Sequence, residues 1–167
     1  MKIEEANKIL EISLTRDIAL DKEAVKKIKT AKKVFTNHYK CNPKAFIEDY
    51  FKILHGLTNE ECDFVLNEAQ DAVIEALRSS RRIAVPKARQ LGITTLTNAL
   101  ALFHAVFTTN ANVIVMAMKT DNAQDNLRSI KTMYKKMPEW VQKLVIVWDE
   151  KLGHLNNQSL WLSLIHI

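Results

Sequence analysis

Apolar residues recur at spacings of three and four along most of this chain, the signature of helices with one buried face. Between Asp21 and Phe35, the side chains of Ala24, Val25, Ile28, Ala31 and Phe35 share a face, while Lys22, Lys26, Lys29 and Lys33 line the opposite one. A weaker version of the pattern covers Ile3 to Leu14. Asn42-Pro43 marks a turn and a helix start. A helix is predicted over Ala45–His55, apolar at Phe46, Ile47, Tyr50, Phe51 and Leu54 and stopped by Gly56. Another is predicted from Glu60 to Arg78, with Phe64, Val65, Ala69, Val73, Ile74 and Leu77 inward.

After Ser79-Ser80 the period changes. Arg82-Ile83-Ala84-Val85 predicts a short strand that ends at Pro86, where a proline is tolerated. Lys87 to Ile93 reads as a loop, and Thr94 to Phe107 as a helix with Leu96, Ala99, Leu100, Phe103 and Phe107 on its apolar face. The continuous apolar run Asn112–Ala117 suits a strand covered on both faces by a parallel sheet's neighbours. Asp121-Asn122-Ala123-Gln124 opens a helix that runs to Met137 and ends at Pro138, with Arg128, Lys131 and Lys135 forming a basic face. Strand, helix, strand, helix predicts an α/β fold with a parallel, right-handed sheet, incomplete here and preceded by a helical N-terminal segment over residues 1–60. Val145–Trp148 and Leu155–Trp161 are expected to form a hairpin around Lys151-Leu152-Gly153. Residues 162–167 match one reading frame of a transposon-end adapter and are set apart from the fold on that ground; a natural strand ending is the alternative.

Composition adds less. The 167 residues carry 24 Lys and Arg against 19 Asp and Glu, a net charge of +5, which fits a phosphate-bearing partner as well as a plain lysine-rich surface. Cys41 and Cys62 make no disulfide framework and no CxxC pattern, and the scattered histidines make no metal set. The longest apolar stretch, Leu96 to Phe107, is too short and too polar to span a membrane.

The most informative segment is Val85-Pro86-Lys87-Ala88-Arg89-Gln90-Leu91-Gly92-Ile93-Thr94-Thr95, between the predicted strand and helix. Free backbone N–H groups and a helix N-terminus favour an anion in such a place. Gly92 lets the backbone approach a phosphate, and Thr94 stands where a P-loop hydroxyl holds Mg²⁺. The plain GxxxxGK[ST] pattern fails twice, because Lys87 replaces its first glycine and Ile93 its lysine. A lysine at the front of the loop is placed to reach back over the same phosphates.

Lys87-Ala88-Arg89-Gln90-Leu91-Gly92-Ile93-Thr94-Thr95-Leu96 resembles the deviant P-loop of tailed-phage large terminases, the DNA-packaging ATPases. The resemblance extends from Phe46-Ile47-Glu48-Asp49-Tyr50 through Gln70, Asn112–Val115 and Met137-Pro138-Glu139-Trp140-Val141 to Asn156-Asn157-Gln158-Ser159. It implies a P-loop NTPase-like sheet, with residues 61–161 a partial ATPase domain. It implies that Lys87, Ala88, Gln90, Ile93 and the backbone at Gly92 hold ATP phosphates, that Thr94 with Thr95 nearby binds Mg²⁺, that Arg89 is the catalytic arginine at the γ-phosphoryl group, and that Gln70 contacts adenine. Double-stranded DNA, a portal, a small terminase subunit and further copies of the chain are the implied partners, with no membrane, in the cytoplasm of an infected or lysogenic bacterium. On this resemblance the chain stops before the catalytic acids and the nuclease, so hydrolysis by the chain as it stands is expected to be poor.

Val145-Ile146-Val147-Trp148-Asp149-Glu150 also has the form of a Walker B strand. The hairpin reading is preferred, since Trp148 is bulky beside a nucleotide and Lys151-Leu152-Gly153 turns at once. If Asp149 and Glu150 were the acidic pair, a helicase-like ATPase would be the alternative. A non-catalytic interaction domain with a degenerate loop is the third reading, kept open by Ile93.

Overall fold

The computed structural model describes residues 1–15, 22–54, 58, 60–86, 90–108, 112–117, 119–142, 147–149, 154–156 and 161–166. Helices dominate: α1 (Ile3–Thr15), α2 (Lys22–Lys40), α3 (Pro43–Tyr50), α4 (Glu68–Ser79), α5 (Ile93–Phe107), α6 (Thr120–Lys136) and the short α7 (Glu139–Gln142). Strands β1 (Lys52–Leu54) and β2 (Glu61–Asp63) pair antiparallel, as do β4 (Val147–Asp149) and β5 (His154–Asn156). β3 (Asn112–Ala117) runs parallel to β6 (Trp161–His166), from Asn112 opposite Trp161 to Ala117 opposite His166.

The expected parallel P-loop NTPase-like sheet is not what the chain builds. Arg82–Val85, which that sheet needs ahead of the loop, is irregular backbone with Val85 39% exposed. A segment as short as Arg82–Val85 becomes a strand only through partners elsewhere in the chain, and the described residues supply none. Nor is β3 buried on both faces: Val113 and Val115 pack against the core, whereas Ile114 and Met116 are 52% and 60% exposed. The architecture is therefore mainly helical, and its parallel pairing is confined to β3 and β6 among the described residues.

Two helix boundaries also differ from the pattern. The expected Ala45–His55 helix ends at Tyr50, where Phe51 turns extended (φ −93°, ψ 136°) and still buries its ring. The next residues pair as β1 with β2, and Lys136 of α6 holds Glu61 of β2 in an ion pair that keeps the Glu61 carboxyl below its ordinary range. The helix expected from Glu60 begins at Glu68. Asn67 caps it by accepting from Gln70 N–H at 2.9 Å, and Gln70 Oε1 accepts from Asn67 N–H at 3.0 Å. This reciprocal capping box sets the start of the helix. Val65, expected inward, is consequently 74% exposed beside buried Phe64 and Leu66.

The core joins the N-terminal helices to α5, α6 and α7, so it runs across position 60. Its centre is aromatic. Phe35 of α2 meets Phe46 of α3, Phe107 of α5 and Trp140 of α7, with ring centroids 5.4–6.2 Å apart. Polar groups within it are tied together. Asn7 Nδ2 donates to the Tyr50 hydroxyl at 2.8 Å, and Tyr39 donates to Asp49 Oδ2 at 2.7 Å. Burial pushes both phenols above their ordinary range, so both stay protonated. Tyr50→Phe is expected to cost about 1–2 kcal/mol, because it orphans a half-buried amide donor, and a urea midpoint measurement checks it. An unchanged midpoint would mean that Asn7 finds another acceptor.

No helix among the described residues is long and apolar enough to cross a membrane.

Candidate functional site

The second half of the loop is described from Gln90 onward; Lys87, Ala88 and Arg89 lie outside the described residues. Gln90 and Gly92 both have left-handed backbone, at φ 66° and 67°. Glycine adopts that region without penalty, whereas glutamine pays for a Cβ there, a strain of about 1–2 kcal/mol. The pair of left-handed residues folds the chain tightly into the first turn of α5.

Gly92 is the N-cap of α5, and it has no side chain to cap with. Leu96 N–H to Gly92 C=O at 3.0 Å is the first bond of the helical ladder, so the N–H groups ahead of it have no acceptor within the helix. The first turn of α5 contains no acidic residue. The other helix starts differ: α3 and α4 are capped by Asn42 and Asn67, and α6 carries Asp121 in its first turn. A 15-residue helix with no side-chain cap bond and no acidic residue in its own first turn is disposed to take an anion from outside. Thr94 is exposed in that first turn and Thr95 is half-buried, while Ile93 turns inward at 7% exposure.

The loop is held from behind by α4. Gln70 is 3% exposed, and its Nε2 donates to the Gly92 carbonyl at 3.0 Å. Asn67 Nδ2 donates to the Leu91 carbonyl at 3.3 Å. A Cβ placed on Gly92 would stand 2.7 Å from Gln70 Nε2, so a side chain there would displace the Gln70 amide in addition to straining φ. An apolar groove of about 420 Å³ adjoins this corner, with Ala69 and Val73 of α4, Val85, Pro86, Leu91 and Ile93 in its walls.

The structure thus brings Gln70, Gly92 and Thr94 to one corner. Asn67 belongs to that corner too and was missed in the sequence, although Asn67-x-x-Gln70 ahead of an apolar helical run is a readable capping pattern. Gln70, which the terminase resemblance places at adenine, has both ends of its amide engaged here, Oε1 with Asn67 N–H and Nε2 with the Gly92 carbonyl. Asp149 lies in the antiparallel β4–β5 pair, opposite His154, and Glu150 lies outside the described residues. No group of three or more His, Cys, Asp or Glu side chains among the described residues is arranged to hold a metal ion. A Mg²⁺ that keeps several waters and takes its other ligands from a polyphosphate needs fewer protein oxygens, and the exposed Thr94 hydroxyl suits that arrangement. In comparison with known proteins, the chain matches no family model and no curated sequence.

Proposed function

We propose that this chain is the ATP-binding portion of a DNA-packaging motor subunit of the large-terminase kind, which couples ATP hydrolysis to movement of double-stranded DNA into a procapsid. The observation that carries the reading is the start of α5. A left-handed Gly92, at the start of a helix with no side-chain cap bond and no acidic residue in its first turn, lies within the segment Lys87–Thr95 that resembles the terminase phosphate loop. The reading rests on that loop alone, since the parallel sheet expected around it is not built among the described residues.

Within the proposal, Lys87 brings an ammonium to the phosphates from the front of the loop, and Arg89 faces the γ-phosphoryl group. The N–H groups at the start of α5 hold phosphate oxygens, and Thr94 offers a hydroxyl to Mg²⁺. The metal, when bound, neutralises charge on the β- and γ-phosphates. A portal, a small terminase subunit, DNA and further copies of the chain are the partners proposed, in the cytoplasm of an infected or lysogenic bacterium. Within the proposal no described residue is assigned as the acid that activates water, so binding is expected to exceed turnover.

Lys87→Ala is expected to lower affinity for a non-hydrolysable ATP analogue by about 100-fold, the loss of one charge-assisted contact to a polyphosphate. Isothermal titration with Mg²⁺ present measures it, and near-normal affinity would remove the lysine's assigned role. A non-catalytic interaction domain is the second reading, favoured by the irregular backbone of Arg82–Pro86 ahead of the loop. Failure of the unmodified chain to bind any ATP analogue would decide for it.

A further inference from the structure

We infer that Gln70 and Asn67 form a carbonyl clamp that presets the phosphate loop, and that Gln70 positions the loop through Gly92 instead of reading the base. This rests on the phosphate-binding reading above and gives one of its residues a different task.

The argument starts from peptide geometry. In a trans peptide the C=O and the N–H point in opposite directions. Asn67 holds the Leu91 carbonyl and Gln70 holds the Gly92 carbonyl, both from the α4 side. The same two peptide planes carry the Gly92 and Ile93 N–H groups on their far edges. Pinning the carbonyls toward α4 therefore aims those donors away from it, on the side where an anion would sit. Each donating amide is itself fixed. Asn67 Oδ1 accepts from Gln70 N–H, and Gln70 Oε1 accepts from Asn67 N–H, so the helix cap and the clamp are one unit. The left-handed turns at Gln90 and Gly92 are what the clamp holds in place. Donors aligned before a ligand arrives need no reordering when it binds, which is where preorganisation adds affinity.

A Gln that reads adenine and a Gln that sets the loop predict different ligand dependence. Inorganic tripolyphosphate has no base. Gln70→Met keeps the size and neutrality of this buried side chain and removes its donor together with the oxygen that accepts from Asn67 N–H, while the Asn67 side chain still caps the residue-70 N–H. Asn67→Ser keeps a capping oxygen for α4, is uncharged, and is too short to reach Leu91. The full chain is titrated with Mg²⁺-tripolyphosphate and with the Mg²⁺ complex of a non-hydrolysable ATP analogue. Gln70→Met is expected to weaken both ligands by the same factor, about 10-fold, and Asn67→Ser both by about 3-fold. Without ligand, the Gly92 and Ile93 amide resonances are expected to broaden or split in both variants as the turn loses its single conformation, while the amides of α4 beyond its first turn keep their exchange protection. Loss confined to the ATP analogue would overturn the clamp and return Gln70 to the base, and unchanged affinity in both variants would overturn it as well. If the unmodified chain bound neither ligand, the phosphate reading itself would fall, and the clamp's purpose with it.

Discussion

Replacing Phe46 by alanine is expected to cost about 3–5 kcal/mol, the usual range for removing a buried aromatic ring from a packed core. Phe46 is fully buried on α3 and is the hub where the helices meet. Its ring lies 6.2 Å from that of Phe35 and 5.4 Å from that of Tyr39 on α2, 5.4 Å from that of Phe51, and 5.7 and 4.8 Å from those of Phe103 and Phe107 on α5. Several of these contacts are edge-on, a geometry an aliphatic side chain does not reproduce. Domains are held by about 5–15 kcal/mol, so the loss is a large share of the whole. Thermal melts followed by near-ultraviolet circular dichroism should show the transition lowered by about 6–20 degrees or its cooperativity gone. Phe46→Leu, which refills part of the space, should lose less than half as much. A melt for the alanine variant within a few degrees of the unmodified chain would mean that the helices do not share this core.

The second large effect is expected at Gly92. Gly92→Ala places a Cβ on a left-handed residue and sets it 2.7 Å from Gln70 Nε2. Gln70 is flexible in principle, but it is 3% exposed and committed to the capping box, so moving it breaks bonds on both sides. The backbone penalty and the orphaned donor together amount to about 2–4 kcal/mol. Two measurements separate the consequences. Chemical denaturation should show the stability loss, and ATP-analogue titration should show binding reduced to the limit of detection. Retained binding would mean that the loop holds no phosphate at this residue. An unchanged denaturation midpoint would mean that the left-handed turn and its contact with Gln70 carry no stabilisation.

Much of the helical layout is legible along the chain. Phe35, Phe46, Leu96, Ile130 and Tyr134 recur at helical spacing because each helix must bury one stripe, and all are buried. The antiparallel pair expected on either side of Lys151-Leu152-Gly153 is signalled by the residues themselves, and the chain pairs β4 with β5, although residues 151–153 lie outside the described ones and Trp161, expected in the second strand, belongs to β6. These features are local: spacing, caps and glycine act over a few residues, so the sequence alone carries them.

What required the assembled molecule is non-local. Arg82–Val85 has strand-like composition, yet a strand exists only where neighbours complete its hydrogen bonds, and here it has none among the described residues. Phe51 is apolar in a helix or in an extended segment alike, so its residue type does not say where α3 ends. The Gln70 amide meets the Gly92 carbonyl across 22 positions of sequence, a contact that exists only after α4 and α5 have packed together. Local pattern encodes which face of a segment is buried. The partner on the other side of that face is decided by the closing of the core.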